Sequence, residues 1–559
     1  MLRTEPRDPA AVRRRAAPRR PGLLAGLRTA PLAVAVLFGC LALTPSLVPR
    51  SPAFQGVVSG VAAACGYGVG LLLLQQVRRR TSWRPGPRAR LVARVMIWVS
   101  AAVAVSVMLT ASARWQAEVH RLVGEEPPGP GSPLLIVAVA AGVFLVVVGV
   151  GRLLRALVRL GRRPLSVVLP GTLASALSVL LVVLAAGAVL DQLVLRTALS
   201  AVDSSFDALN NEIPDGLEAQ TSPLRSGSPE SLAPWDELGL QGRQFVVAGP
   251  DVDELTELVG APATEPIRVY AGLDTSEDLD RLAAVAVREL ERTGAFDRAV
   301  LCVVTPTGRG WVNPQAAAAL ERLHGGDTAI VSMQYSYLPS PLSFLVDPQR
   351  AREAGEQLFD QVHERWSRLP ADNRPRLVVY GESLGSTGAQ AAFSGLGDVR
   401  ARTDGALFVG PPESNSLWAE LVERRDPGSR QVLPVYDDGL TARFVAAPGE
   451  YERAGAAPWQ QPRVLFAQHS SDPIVWWSPK LLLIRPDWLE QQRGPDVSPR
   501  MHWYPLVTFW QVTADMAVAN STPPGHGHRY RGFLQHWAAL VPPDGWTERD
   551  TARLEQGSR

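Results

Sequence analysis

Five stretches of this 559-residue chain carry no charged residue: 29–49, 51–77, 95–113, 127–151 and 164–190. Each has 19 residues or more, and about 20 apolar residues cross a hydrocarbon core roughly 30 Å thick. Inside a bilayer the backbone must satisfy its own hydrogen bonds, so all five are expected to be spanning helices. Pro31, Pro45 and Pro170 are expected to mark kinks or ends.

Charge placement orients them. Residues 1–190 hold 23 Arg and 5 acids, whereas the rest of the chain holds 33 basic and 49 acidic residues, so a formal net charge of +2 hides two unlike halves. Eight Arg precede the first span, six lie between residues 78 and 90, and five between 152 and 163. The alternate connections are poor in Arg or balanced by Glu118, Glu125 and Glu126. Cytoplasmic loops carry the positive excess. The N-terminus is therefore expected in the cytoplasm and the acidic half outside it, on a multi-pass protein of the cytoplasmic membrane. Residues 1–28 read as a basic cytoplasmic tail, 29–190 as a five-helix transmembrane domain, and 191–240 as a juxtamembrane linker.

No Asp, Glu or Lys stands mid-span, which argues against an ion or proton pathway. The basic tail reads as a topology signal, and no nucleic-acid partner is expected. With Cys40 and Cys65 in spans and Cys302 in the other half, no disulfide is expected within the soluble half. That half must rely on its core, which a segment of this size can build.

From residue 241 onward, short apolar runs alternate with amphipathic ones. Strands are expected at 268–271, 299–304, 328–333, 376–380, 405–409 and 463–467, with another within 503–512, and helices at 277–293, 314–323 and 349–368. This alternation predicts an α/β domain over 241–559 with a mostly parallel sheet covered on both faces. Residues 411–461 interrupt the pattern and read as an insertion, of the kind that often forms a lid.

The strand at 376–380 runs into Gly381-Glu382-Ser383-Leu384-Gly385 and then a helix. Glycines at Gly381 and Gly385 permit the sharp turn of a nucleophile elbow, which lifts Ser383 above the sheet at the positive end of that helix. A serine needs a base, and such sheets present their partners in the order Ser, acid, His. Asp472 follows the strand at 463–467, where open α/β sheets place ligands; Asp515 is a competing acid. The base comes from Pro524-Gly525-His526-Gly527-His528, with His528 preferred for its place near a helix start and His526 open as the alternative. An oxyanion is expected to meet the backbone amides of Leu384 and Thr307. His502 and His536 read as ordinary packed or surface residues. No metal or other cofactor is expected.

Several motifs together resemble the membrane-linked alpha/beta-hydrolases of actinobacteria. They are Ser226-Gly227-Ser228-Pro229-Glu230-Ser231 before Trp235-Asp236, Arg292-Thr293-Gly294-Ala295-Phe296-Asp297, Gln334-Tyr335-Ser336-Tyr337, the Ser383 elbow and the His526–His528 loop. The resemblance implies an α/β-hydrolase domain fused to a multi-span region, without specifying a substrate. Joined to the residue reading, it predicts a membrane-anchored serine hydrolase of acyl esters, esterase- or lipase-like. Trp476 and Trp477 are candidates to line an acyl pocket. A hydrolase-like receptor or envelope assembly factor without turnover is the alternative.

Overall fold

The computed structural model describes residues 28–81, 86–127, 129, 133–189, 210, 217–338, 343 and 347–557. The expected cytoplasmic tail, apart from Arg28, and most of 191–216 lie outside the described residues.

The N-terminal helical half contains α1 (Thr29–Leu41), α2 (Pro52–Arg80), α3 (Pro87–Leu122), α4 (Pro133–Val168) and α5 (Gly171–Val189). Four of these, α2 to α5, are long and apolar enough to cross a membrane. The expected first span is not among them. At 13 residues and 1.5 Å per residue, α1 reaches about 20 Å, short of the ~30 Å required. Pro45 disfavours helix at the residue before it, and residues 42–48 are buried as a non-helical hairpin instead. Small residues let the helices close on one another: a Cβ at Gly60 would stand 2.7 Å from the Ala140 carbonyl, and one at Gly66 2.7 Å from the Phe38 ring. Arg28, Arg78, Arg79, Arg152, Arg155 and Arg159 line one groove at one end of the bundle. At the other end Glu118 of α3 pairs with Arg500.

The other half is a seven-stranded sheet in the order β1-β3-β2-β4-β5-β7-β6, every pair parallel. Its strands are β1 (Ile267–Ala271), β2 (Val300–Thr305), β3 (Thr328–Met333), β4 (Arg376–Glu382), β5 (Gly405–Val409), β6 (Ala442–Val445) and β7 (Arg463–Ala467). They are buried almost without a break, as a sheet covered on both faces requires. Helices α6 (Leu279–Arg292), α8 (Pro348–Ser367) and α9 (Leu384–Ala391) close one face through Leu282, Leu358, Phe359 and Leu384. Helices α7 (Pro314–Leu323) and α11 (Phe533–Leu540) close the other through Leu320, Phe533 and Trp537.

Three expectations need correction. The run within 503–512 is not a strand but the start of helix α10 (Val507–Ala517). Its inward face is Val507, Thr508, Gln511, Val512 and Asp515, a helical spacing written largely in polar side chains that an apolar pattern cannot register. The stretch 411–461 is no mere insertion, because it supplies edge strand β6 and a helix (Ser416–Glu423) whose Trp418 and Leu421 enter the core. Arg443 disguises that strand: its guanidinium is buried on the carbonyls of Gly439, Tyr451 and Ala457. The linker expected at 191–240 is already part of the domain from Leu224, which pairs with β1 through Arg268 N–H to the Leu224 carbonyl and Ser226 N–H to the Arg268 carbonyl.

Candidate active site

Strand β4 and helix α9 meet at Ser383, whose φ of 56° and ψ of −125° no other local geometry would favour. Such a conformation costs on the order of 1–3 kcal/mol and persists only where its surroundings impose it. The imposing contacts are visible. The Ser383 amide donates to the Val409 carbonyl at 2.8 Å. A Cβ at Gly381 would lie 2.5 Å from the Gly385 carbonyl, and one at Gly385 would lie 2.3 Å from the Thr305 carbonyl. Only glycine lets backbone pass so close. Leu384 opens α9, so its amide belongs to the first turn, where N–H groups lack an intrahelical acceptor and the helix dipole is positive.

Ser383 opens on a cavity of about 530 Å³ that His528 also lines. Asp472, wholly buried at the end of β7, accepts from His528 Nδ1 at 2.7 Å, Tyr530 OH at 2.7 Å and the Ile474 amide at 2.9 Å. The His528 amide is itself anchored on the Ala519 carbonyl at 3.0 Å, just beyond α10. Burial disfavours the charged imidazole, but the adjacent Asp472 charge and its hydrogen bond, aided by Glu382, outweigh it, and His528 titrates above its ordinary range. Among the described residues no hydrogen bond joins the Ser383 hydroxyl to His528; such contacts tighten when substrate binds.

His526 points elsewhere: its Nδ1 lies 3.3 Å from Asp496 Oδ2, and Asp496 also accepts from Ser471 Oγ at 2.5 Å. Asp515, the competing acid, faces the N-terminal helical half. It accepts from Arg50 Nε at 2.7 Å, the Leu47 amide at 3.1 Å and the Ser46 hydroxyl. The Thr307 amide needs correction as an oxyanion donor: it already donates to the Trp311 carbonyl at 2.9 Å in a tight turn. Trp476 is corrected too, being core against Trp418 and Trp488, while Trp477 packs on Phe509. The cavity's apolar wall is instead Trp311, Pro314, Leu384, Ile474 and Met516, and none of its lining comes from 411–461. His502 is exposed and His536 buried.

Reading the sequence missed two participants. Glu382, inside the elbow motif, is buried at the cavity and accepts from Tyr380 OH at 2.6 Å and Asn313 Nδ2 at 2.7 Å; burial holds its carboxyl above the ordinary range. Tyr530, two residues past His528, shares Asp472 and stacks on His469 with ring centroids 4.1 Å apart. Its signal was proximity to His528 alone. Among the described residues no three His, Cys, Asp or Glu side chains are grouped to hold a metal ion.

The architecture has a counterpart among protein families. A model described as an alpha/beta-hydrolase family matches residues 267–554, and one described as that family's N-terminus matches 43–250. No curated protein and no solved structure shows significant similarity. Matched through its sheet, elbow and histidine loop, and again through its N-terminal helical half, the chain belongs to this alpha/beta-hydrolase family.

Proposed function

We propose that the protein is a membrane-anchored serine hydrolase of acyl esters, with its active site on the side of the membrane away from the arginine-rich helix ends. The observation that carries this reading is an imidazole held by a buried carboxylate and opening on the same cavity as a serine in a strained strand-to-helix turn. In the proposed reaction Ser383 Oγ bonds to the acyl carbon while its proton passes to His528 Nε2. Asp472 keeps Nδ1 protonated and stabilises the imidazolium. The Leu384 amide receives the oxyanion. The adduct collapses with cleavage of the acyl–alkoxy bond, and the alcohol leaves with the proton from His528. Water then adds to the acyl-enzyme, gives its proton to His528, and releases the acid as Ser383 recovers the proton. The positive excess at the opposite end of the bundle supports an extracytoplasmic site.

A fluorophosphonate probe applied to membranes tests the reading. Wild type is expected to label, and Ser383→Ala is expected not to. Equal labelling of both, or none of wild type, would leave a hydrolase-like binding protein. Attack by the probe on intact cells, with no permeabilisation, is expected from the proposed sidedness; labelling only after permeabilisation would reverse it.

A further inference from the structure

The hydrolase domain hides its large apolar side chains with few exceptions, and two adjacent ones stand out: Leu483 is 73% and Ile484 59% exposed. Both lie in the turn after the short helix Pro479–Leu482, with their amides donating to the Lys480 carbonyl at 3.1 and 2.8 Å. That turn is tied to the start of α10: the Leu506 amide donates to the Leu482 carbonyl at 2.9 Å, and Trp503 Nε1 to the Leu481 carbonyl at 2.9 Å. The next residue, Val507, is buried with Ala42, Val58 and Ala62 of the membrane half.

This contact gives the depth. Arg78, Arg79 and Arg80 close α2 at its far end, and about 20 residues of helix cross the hydrocarbon. Counting back from Arg78 puts the near edge of the hydrocarbon at Val58. Leu506 and Val507, and with them Leu483 and Ile484, therefore stand at that edge. Partly buried Trp503 and Tyr504 stand beside them, Trp503 on the Leu481 carbonyl and Tyr504 against the Val507 cluster, as aromatic side chains do at a membrane–water boundary. Exposed Lys480, the chain's only lysine, and Arg485 flank the two apolar tips, which suits anionic headgroups. The other end of α10 reaches the active cavity, where Met516 lines the wall and the Ala519 carbonyl holds His528. The helix is eleven residues long, about 16 Å.

We propose that Leu483 and Ile484 form a tip inserted into the adjacent leaflet, and that the ester cleaved at Ser383 is a lipid of that leaflet whose acyl chain passes beside α10 onto the apolar wall of the cavity. The substrate half of this inference rests on the serine-hydrolase reading. The acyl–alkoxy bond breaks as in that reading, the lipid's alcohol part leaving with the His528 proton and water releasing the fatty acid.

The test uses the full chain in vesicles containing anionic phospholipid and the double variant Leu483→Asp with Ile484→Asp. Both positions are exposed, and an unchanged fluorophosphonate labelling rate in detergent checks that the variant is folded. With a long-chain fluorogenic glyceride ester held in the vesicles, the variant is expected to lose about tenfold or more in kcat/KM, because carboxylates resist entering the bilayer. With a water-soluble butyrate ester it is expected to match wild type within about twofold, since the chemistry at Ser383 is untouched. Equal rates on the vesicle ester, or equal losses on both esters, would overturn the proposal. A dye on Leu483→Cys provides a readout without turnover: quenching by nitroxides placed on the lipid chains is expected, and its absence would remove the tip. If the dye is quenched but wild type turns over neither ester, the tip stands while the lipid-substrate claim and the hydrolase reading fall together.

Discussion

Asp472 and Asp515 are both wholly buried, and each accepts from a ring of three donors. Around Asp515 stand Arg50, Ser46 and the Leu47 amide; around Asp472 stand His528, Tyr530 and the Ile474 amide. The rings differ in one respect that decides their use. A guanidinium does not exchange its proton near neutral pH, so the pairing of Arg50 with Asp515 can only join the N-terminal helical half to α10. His528 can gain or lose a proton near neutral pH, so a carboxylate beside it can set when that happens. Burial and hydrogen bonding alone do not distinguish a weld from a proton relay. The partner's chemistry does.

The sharpest challenge to this contrast is removal of the titratable partner. His528→Ala is expected to lower kcat on a soluble ester by about 10⁴–10⁶-fold, whereas His526→Ala stays within about threefold, because its ring serves Asp496. Similar losses in both would erase the distinction. Next, Asp472→Asn is expected to cost about 10⁴-fold in kcat. Asp472 raises the His528 value above the ordinary 6.5, and catalysis needs the neutral ring, so wild-type kcat/KM is expected to rise with pH through a midpoint above 6.5, and Asp472→Asn to shift that midpoint down. The same upward shift means that protonated His528 stabilises the fold below the unfolded value and that this contribution is lost as pH rises through the folded one.

At Asp515 the expected effect is on stability. Asp515→Ala strands a buried guanidinium and is expected to cost about 3–5 kcal/mol in denaturant unfolding. Arg50→Met combined with Asp515→Leu is expected to recover most of it. Failure of the double variant to recover would make the pair more than a weld. The smallest effect is Tyr530→Phe, which removes one of the three donors to Asp472 at a cost of about 1 kcal/mol, read as a loss of up to about fivefold in kcat with no change in the His526→Ala result.

How far this could be read beforehand depends on where the information is local. The strand, glycines and helix that make the Ser383 elbow are contiguous, and so are Asp472 with its preceding strand and the His526–His528 loop. Long-range pairings left no such trace. Nothing near Asp515 announces Arg50, and the polar inward face of α10 obscured its helix. Likewise topology alone points to the Thr307 amide, whereas the turn from Thr307 to Trp311 consumes it. Glu382 lies in plain view inside the motif with Tyr380 two residues before it on β4, but its other partner, Asn313, is 69 residues away and meets it only in three dimensions.

Arg50 and Asp515 are 465 residues apart. At about 5–20 residues per second, the ribosome needs roughly half a minute to a minute and a half to make the second after the first. Throughout that interval the early helices pack on one another through their own small-residue contacts, with the Arg50 guanidinium holding Gln55 but lacking Asp515. A chain halted before residue 515 never gives that charge its counter-ion, so finishing the polypeptide is what seals the junction between its halves.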